Sequence, residues 1–254
     1  MAVQPIAANG EAFVEHRGED AEQGSAAPDI TRDDIEQVPS TRVYSADGGS
    51  GQRSWNDLES SRYVKELRTI LSRLSKGQAR QSTPQRIVIA SVSSGMGASA
   101  IARGLAAASA GSGFRVLLVD TNLDRPTVHQ HFGLSNDFGL SDLLASSGSP
   151  HRLPQSTAMP NLAVIVAGPK LSNYSSLLAR ERVFHRLQPI SRHFDYIIAD
   201  CSSLSASLVS RVSVGADNVI ITVKEHDSSM KELENMVRTL RGESVPEPAV
   251  LMIE

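Results

Sequence analysis

The chain has 254 residues and a formal net charge of −3, and 40% of its residues are hydrophobic. This length gives room for one α/β domain with a substantial core and for additional sequence at one end. Lysine and arginine are too scattered for the basic footprint of a nucleic-acid-binding protein, and no stretch approaches the roughly 18 apolar residues of a transmembrane helix. Composition therefore argues against nucleic-acid binding and against a direct membrane span.

Cysteine usage and the first residues indicate the compartment. One cysteine, Cys201, cannot form an internal disulfide and is typical of a reducing environment. The opening MAVQPIAANG lacks the basic and apolar regions of a signal peptide. We therefore predict a cytoplasmic protein that reaches the inner face of the cell membrane only through a partner.

The N-terminal segment differs in composition from the rest of the chain. Residues 1–50 hold ten acidic and three basic side chains, which gives them a charge of −7 against +4 for the remainder. Large apolar side chains are few here, so burial cannot offset the entropy lost on ordering. We predict a disordered acidic arm over residues 1–55 and a folded domain over residues 56–254.

A helix is predicted at the start of the folded domain. Between Asp57 and Lys76 the apolar residues largely keep helical spacing, and Asn56 or Asp57 can cap the first turn.

Short β-rich runs then alternate with helical stretches. Strands that are apolar on both faces and separated by helices imply a mostly parallel sheet with helices on both faces. The sequence therefore predicts a doubly wound α/β fold. The predicted strands cover residues 86–90, 116–120, 162–167, 196–200, 218–223 and 249–253, and the predicted helices lie near residues 98–110, 139–147, 174–192, 205–214 and 227–241.

The first of these strands leads into a turn that contains glycines, SVSSGMGASA. Gly95 and Gly97 allow the backbone to wrap an anion, the next helix offers N–H groups at its N-terminus, and Ser99 stands where a hydroxyl would ligate magnesium. The lysine expected after the last glycine is replaced by Ala98. A plain strand-to-helix turn explains the stretch equally well. If a nucleotide binds, the residues that hold it are Gly95, Met96, Gly97, Ala98, Ser99 and Ala100.

Two further strands end in aspartate. Asp120 could orient an attacking water or contact a metal, and Asp200 stands where the magnesium-associated acid of a phosphate-binding fold stands. A single aspartate at a strand end is usually a turn residue. Two of them behind a glycine loop favour a nucleotide site, with Ser99, Asp120 and Asp200 as magnesium ligands if nucleotide binds.

Longer strings in this region resemble the bacterial tyrosine kinases (BY-kinases) of capsule and exopolysaccharide systems. The resemblance rests on R-P-x-x-H-x-x-F-G-L at Arg125 to Leu134 and on G-L-S-D-L-L at Gly139 to Leu144. It implies a cytoplasmic P-loop NTPase-like domain that takes ATP or ADP with Mg and docks on an inner-membrane protein of polysaccharide chain-length control or export. We expect these two elements to present the surface for that partner.

The sequence departs from the family pattern at charged positions. The family has a lysine where Ala98 stands, its D-x-D-x-R motif aligns with Asp120, Asn122 and Asp124, and its D-x-P-P motif begins at Asp200. Loss of one charge-assisted hydrogen bond costs about 1.5 to 3 kcal/mol of binding. Phosphoryl transfer suffers further because the lysine also offsets the charge that develops in the transition state.

A replacement for the lysine would have to be another cation near the loop. Arg103 lies one turn into the helix and is expected to point away, whereas Arg125 follows the positions of the D-x-D-x-R motif and is the better candidate. The C-terminal tyrosine cluster of the family is absent, since the chain ends in PAVLMIE. Tyr44, in the acidic arm, could be phosphorylated in trans.

The oligomerisation motif of the family, E-x-x-R-x-x-R, is also altered. It aligns with Arg62, Lys65 and Arg68, which puts a cation at the position of the glutamate. An offset register through Glu59, Arg62 and Lys65 restores the acid–base pattern, so a homo-oligomer stays open.

Three functions follow from these observations. The leading hypothesis is a degenerate BY-kinase-like pseudo-ATPase that acts as a docking or regulatory component of exopolysaccharide or capsule synthesis and export and binds ATP or ADP weakly. The second is an active ATP-dependent protein tyrosine kinase with a cation supplied by a partner or by Arg125. The third is a ParA/MinD-like positioning ATPase, which is disfavoured because Ser93 and Ser94 stand where its signature lysine is expected.

Overall fold

A computed structural model describes the following parts of the chain. The described residues are 40–43, 66–70, 72, 83–93, 95, 97–146, 148–224, 229–241 and 245–253. Residues 66–70 are helical, as predicted for this region, and Leu67 and Ile70 pack into the core. Most of the predicted acidic arm, Tyr44, Met96 and the positions 59, 62 and 65 lie outside the described residues.

Within the described residues, eight strands form a single sheet in the order β1-β8-β7-β2-β6-β3-β5-β4. Every pairing is parallel except that of β4 with β5, which is antiparallel. The prediction of a mostly parallel, doubly wound sheet is therefore confirmed. The strands are β1 Ser40–Val43, β2 Gln85–Ser91, β3 Val116–Asp120, β4 Gln155–Ser156, β5 Leu162–Ile165, β6 Tyr196–Cys201, β7 Asn218–Lys224 and β8 Ala249–Ile253.

The helices connect these strands and cover the sheet. In chain order they are α1 Ala98–Gly111, α2 Val128–Phe132, α3 Leu140–Ala145, α4 Tyr174–Arg180, α5 Val183–Arg186, α6 Gln188–Ser191, α7 Ala206–Val212 and α8 Met230–Leu240, with a short 3-10 helix at Pro150–Arg152.

Both faces of the sheet are buried, as the continuous apolar strands predicted. In β2 the side chains of Val88 and Ala90 join one core cluster, while those of Ile87 and Ile89 join the other. Alternate residues of a strand point to opposite faces. A strand with both faces packed under helices must therefore be apolar at every position, which explains why the sequence located β2, β3 and β6 closely.

The predicted helix over residues 174–192 is wrong in its continuity. It is divided into α4, α5 and α6, because Glu181 adopts an extended backbone and Pro189 lies in the first turn of α6. Proline has no backbone N–H to donate and is tolerated only in the first turn of a helix. The helical spacing of apolar residues continues across these breaks, so periodicity alone does not reveal them.

The two edge strands, β1 and β4, were not predicted. Residues 40–43 fall within the segment predicted as disordered, yet their backbone pairs in parallel with β8. An edge strand is held by main-chain hydrogen bonds on one side and needs few apolar side chains. The sequence therefore carries little signal for it.

The carboxyl ends of β2, β6 and β3 meet at one edge of the sheet. These three strands are adjacent and parallel, and Asp120 of β3 pairs in register with Asp200 of β6. Open α/β sheets bind ligands at this edge, where loops and helix N-termini converge.

Candidate functional site

A cleft of about 730 Å³ lies at the carboxyl edge of β2, β6 and β3. Of the predicted cofactor-binding residues, the structure places Gly95, Gly97, Ala98, Ser99 and Ala100 in the lining of this cleft. Loops after β3 and β6 supply most of the remaining lining. The structure therefore brings the glycine turn together with the ends of the two strands that carry Asp120 and Asp200.

The glycines of the turn are required by its backbone. Gly95 and Gly97 have φ angles of 84° and 72°, a left-handed conformation that glycine adopts without steric cost. A Cβ on Gly97 would also approach the Ile253 side chain to 3.0 Å, whereas one on Gly95 would meet nothing within 4 Å. Gly97 immediately precedes α1, so the turn aims the N-terminus of that helix at the cleft.

A chain of three polar side chains runs along one side of the cleft. Ser99 Oγ donates a hydrogen bond to Asp200 Oδ2 at 2.5 Å, and Arg103 Nη1 donates to the same Ser99 oxygen at 2.5 Å. Asp200 is only 1% exposed, and its Oδ1 accepts from the backbone N–H of Ser202 at 3.1 Å. The two hydrogen bonds therefore connect the buried carboxylate to a cation in the cleft lining.

The prediction that Arg103 points away from the cleft is wrong. Residues four apart on a helix share a face, and helical side chains lean toward the N-terminus of their helix. Arg103 consequently lies over Ser99 and lines the cleft. The spacing of Ser99 and Arg103 was the signal in the sequence that could have shown this.

Asp120 lies beneath the cleft rather than in its lining. Its Oδ1 accepts from the Asn122 N–H at 3.0 Å and its Oδ2 accepts from the Val128 N–H at 3.3 Å, so the carboxylate holds the start of α2. Burial, together with the charge of Asp200, raises the pKa of Asp120 to about 7. Both carboxylate oxygens of Asp120 are thus engaged by main-chain groups.

The hydrogen bonds of the loop after β3 explain why Asn122 stands at the second acidic position of the D-x-D-x-R motif. Asn122 Nδ2 donates to the Arg125 carbonyl at 2.8 Å and to Ser203 Oγ at 3.0 Å, while its Oδ1 accepts from the Arg125 N–H at 3.2 Å. A carboxylate at this position has no proton to donate to either oxygen. Asp124 forms an ion pair with Lys170 at 2.7 Å.

The charged side chains that line the cleft are all basic. They are Arg103 and Arg125, and the lining drawn from the described residues also contains His131 but no carboxylate and no lysine. Burial, together with the charge of Arg103, lowers the pKa of His131. The side chain of Arg125 is 84% exposed, and its Nε lies 3.7 Å from Asp124 Oδ2. The lining therefore has the charge that suits an anionic ligand.

Ser99 and Asp200, proposed as magnesium ligands, supply oxygen atoms of the right type, but a positively charged side chain lies beside them. Hydroxyl and carboxylate oxygens, as in Ser99 and Asp200, are ligands that magnesium prefers. In this structure, however, the Ser99 hydroxyl already accepts from the guanidinium of Arg103. Within the described part of the chain, no group of three or more histidine, cysteine, aspartate or glutamate side chains is arranged to hold a metal.

The G-L-S-D-L-L element does not present a partner surface, and that prediction is wrong. Leu140, Leu143 and Leu144 of α3 are buried in the main core cluster. A Cβ on Gly139 would meet the Val166 carbonyl oxygen at 2.3 Å, so glycine is required for close packing against the chain after β5. The element closes the core instead of facing solvent.

The comparisons with known proteins agree with this geometry. The AAA domain family (AAA_31) matches residues 84–244. The chain is 26% identical over 191 residues to the putative tyrosine-protein kinase CapB of Staphylococcus aureus, which covers 74% of this chain and 83% of that protein. It is 33% identical over 147 residues to the tyrosine-protein kinase Etk of Escherichia coli K12, and this covers 54% of the chain but only 20% of the relative.

Solved structures show the same fold. The chimerical protein CapA2B2 matches with a TM-score of 0.72 and 25% identity, over 88% of this chain and 98% of that one. The kinase domain of E. coli ETK matches with a TM-score of 0.75 and 20% identity, over 87% and 90% of the two chains. None of the described helices combines the length and the apolar character that crossing a membrane requires. The chain therefore belongs to the AAA domain family, and it is similar in sequence to bacterial proteins named as tyrosine-protein kinases.

Proposed function

We propose that the cleft binds a nucleoside di- or triphosphate and that the domain does not transfer the phosphoryl group. Support for binding comes from the glycine turn before α1 and from the positive charges of Arg103 and Arg125 in the lining. A helix N-terminus with such a turn attracts phosphate through its N–H groups and its dipole.

The observation that carries the second half of the proposal is Ala98. It directly follows Gly97, it is 1% exposed, and none of the lysines in the described ranges lines the cleft. Phosphoryl transfer depends on positive charge that neutralises the transferring group as its charge develops. A methyl group at this position binds no phosphate oxygen, so the transition state loses more than the ground state does.

We further propose that the protein is a degenerate BY-kinase-like docking or regulatory component of polysaccharide synthesis and export. The names of relatives such as CapB and EpsB support a role in capsule or exopolysaccharide systems. In this role the chain is cytoplasmic and is recruited by a membrane partner. The chain spans 83% of CapB but only 24% of the larger EpsB, so the partners of these relatives belong to the proposal alone.

An active kinase is the second candidate, because Arg103 and Arg125 both lie in the cleft lining. An arginine could take over the charge of the lysine without its compact geometry. The two candidates agree on nucleotide binding and differ only on transfer.

Two assays on the purified full chain separate these candidates. Calorimetric titration with ATP and with ADP in magnesium buffer measures binding, and phosphate release together with tyrosine phosphorylation measures transfer. We expect saturable binding with both transfer signals at the level of a blank without protein. Absence of binding overturns the nucleotide site, whereas transfer well above the blank supports the active kinase.

A further inference from the structure

Arg103 brings a permanent positive charge to the side of the cleft that the loop lysine normally serves. Its Nη1 lies 2.5 Å from Ser99 Oγ, and Ser99 is the residue next to Ala98. A guanidinium carries five N–H donors in a planar fork. The contact with Ser99 uses one of these donors, so the same group can also bind phosphate oxygens in the cleft that it lines.

The contact with Ser99 also affects any divalent ion. A serine hydroxyl has one proton and two lone pairs. Here the proton goes to Asp200 and one lone pair accepts from Arg103. A divalent ion at this oxygen would lie a few Å from a guanidinium in a partly buried site, where like charges repel strongly.

The surroundings favour Arg103 over the other arginine of the cleft. Arg103 is half-buried and anchored through Ser99 to the buried carboxylate of Asp200. Arg125 is 84% exposed and lies 3.7 Å from Asp124, so solvent and a neighbouring carboxylate weaken its field. An anchored, partly desolvated cation interacts more strongly with an anion than an exposed one does.

We propose that Arg103 takes the place of both the loop lysine and the divalent ion, so that the cleft binds the phosphate groups of a nucleotide without a divalent cation. The inference rests on the nucleotide binding proposed above. Nucleotide held in this way meets a cation that is part of the fold, and its occupancy follows the nucleotide concentration rather than that of magnesium.

Calorimetric titration of the full chain with ADP tests the inference in two buffers, one with EDTA and one with magnesium chloride. The variants are Arg103→Ala, Arg103→Lys and, as a matched control, Arg238→Ala, which removes an exposed arginine of α8 outside the cleft. Circular dichroism and urea unfolding establish that each variant is folded. If Arg103→Ala does not fold, the comparison of the two buffers on the unmodified chain still decides the question.

We expect the unmodified chain and Arg238→Ala to bind ADP equally well in both buffers. Arg103→Ala should lose about tenfold to hundredfold in affinity in EDTA and recover part of it with magnesium, while Arg103→Lys should lose less. Binding by the unmodified chain that requires magnesium, or an Arg103→Ala variant that binds normally in EDTA, overturns the inference and leaves the nucleotide site standing. Absence of ADP binding in both buffers overturns the two together.

Discussion

Two turns at the carboxyl edge of the sheet place a glycine before a helix, yet the chain uses them in opposite ways. At Gly139 the N–H groups at the N-terminus of α3 are hydrogen-bonded to other groups of the protein. The N–H groups of Leu140 and Ser141 donate to Val166 and Ala167 carbonyls at 2.9 and 2.8 Å, and the Gly139 N–H donates to Asp142 at 2.8 Å.

The turn before α1 is open where the other is closed. No side chain of the described residues caps α1 through a hydrogen bond, and a Cβ on Gly95 would meet nothing within 4 Å, although one on Gly97 would approach the end of the Ile253 side chain to 3.0 Å. The turn faces a cleft with basic lining, whereas the Gly139 turn faces the chain segment that follows β5. The glycine at the start of α3 thus permits close main-chain packing, whereas the turn before α1 leaves open space beside Gly95.

The largest effect on stability is expected where the turn is closed. In Gly139→Ala the new Cβ would lie 2.3 Å from the Val166 oxygen and 2.4 Å from the Gly168 nitrogen. Main-chain atoms cannot move aside without displacing α3 from the chain segment after β5, so we expect a loss of about 3 kcal/mol in the free energy of unfolding. Urea unfolding measures it, and a loss below about 1 kcal/mol would contradict the close packing.

The carboxylate of Asp120 accepts a hydrogen bond from the N-terminus of a third helix, α2. Its titration gives the next largest expected effect on the free energy of unfolding. Its folded pKa of about 7 lies above the ordinary aspartate pKa of 3.8, so the folded state binds more protons than the unfolded state between these values. The stabilisation from this group is therefore complete below about pH 4 and is lost as the pH rises through 7. The expected loss between pH 5 and pH 7 is about 2 kcal/mol.

Asp120→Asn removes this titration and retains one acceptor for the α2 backbone. Its free energy of unfolding relative to the unmodified chain should therefore rise from pH 5 to pH 7. Urea unfolding at several pH values measures the difference. Two parallel curves would show that the carboxyl group keeps an ordinary pKa in the folded protein.

Ala98→Lys sharpens the comparison at the open turn by restoring the missing charge. We expect ATP affinity to rise about tenfold, or about 1.4 kcal/mol, because one charge-assisted hydrogen bond to phosphate is regained. Ala145→Lys, which adds a lysine at an exposed position of α3, is the matched control. Equal affinities in calorimetric titrations of the two variants would mean that this position does not face the phosphate groups.

Gly95→Ala should have the smallest effect on stability. The φ angle of 84° disfavours alanine, but no atom lies within 4 Å of the new Cβ. We expect a loss of about 1 kcal/mol in urea unfolding. A loss as large as that of Gly139→Ala would show that the two turns are packed alike and would remove the contrast between them.

The fold could be predicted from sequence because its central strands are buried on both faces. The runs at residues 86–90, 116–120 and 196–200 leave no polar alternation, and the structure extends them by two residues at most. The edge strands β1 and β4 were not predicted because they are held by main-chain pairing, which leaves little pattern in the sequence. The breaks between α4, α5 and α6 were not predicted because the helical spacing of apolar residues continues across them.

The candidate site was located from sequence, but its charges were not. The glycine turn, Ser99 and the two strand-terminal aspartates indicated where the cleft lies. The direction of Arg103 depends on the path of α1 beside Asp200, which lies about a hundred residues away in sequence. Likewise, the hydrogen bonds of Asn122 to Ser203 show only in three dimensions why an amide stands there.

The fate of bound ATP tests the central claim most directly. ATP labelled on the γ-phosphate is mixed with an excess of the full chain in magnesium buffer, and the bound label is analysed over several hours. We predict that the label is recovered as intact ATP, with phosphate and phosphotyrosine at the level of a blank without protein. Conversion of the bound ATP to free phosphate or phosphotyrosine, faster than in the blank, would contradict the account.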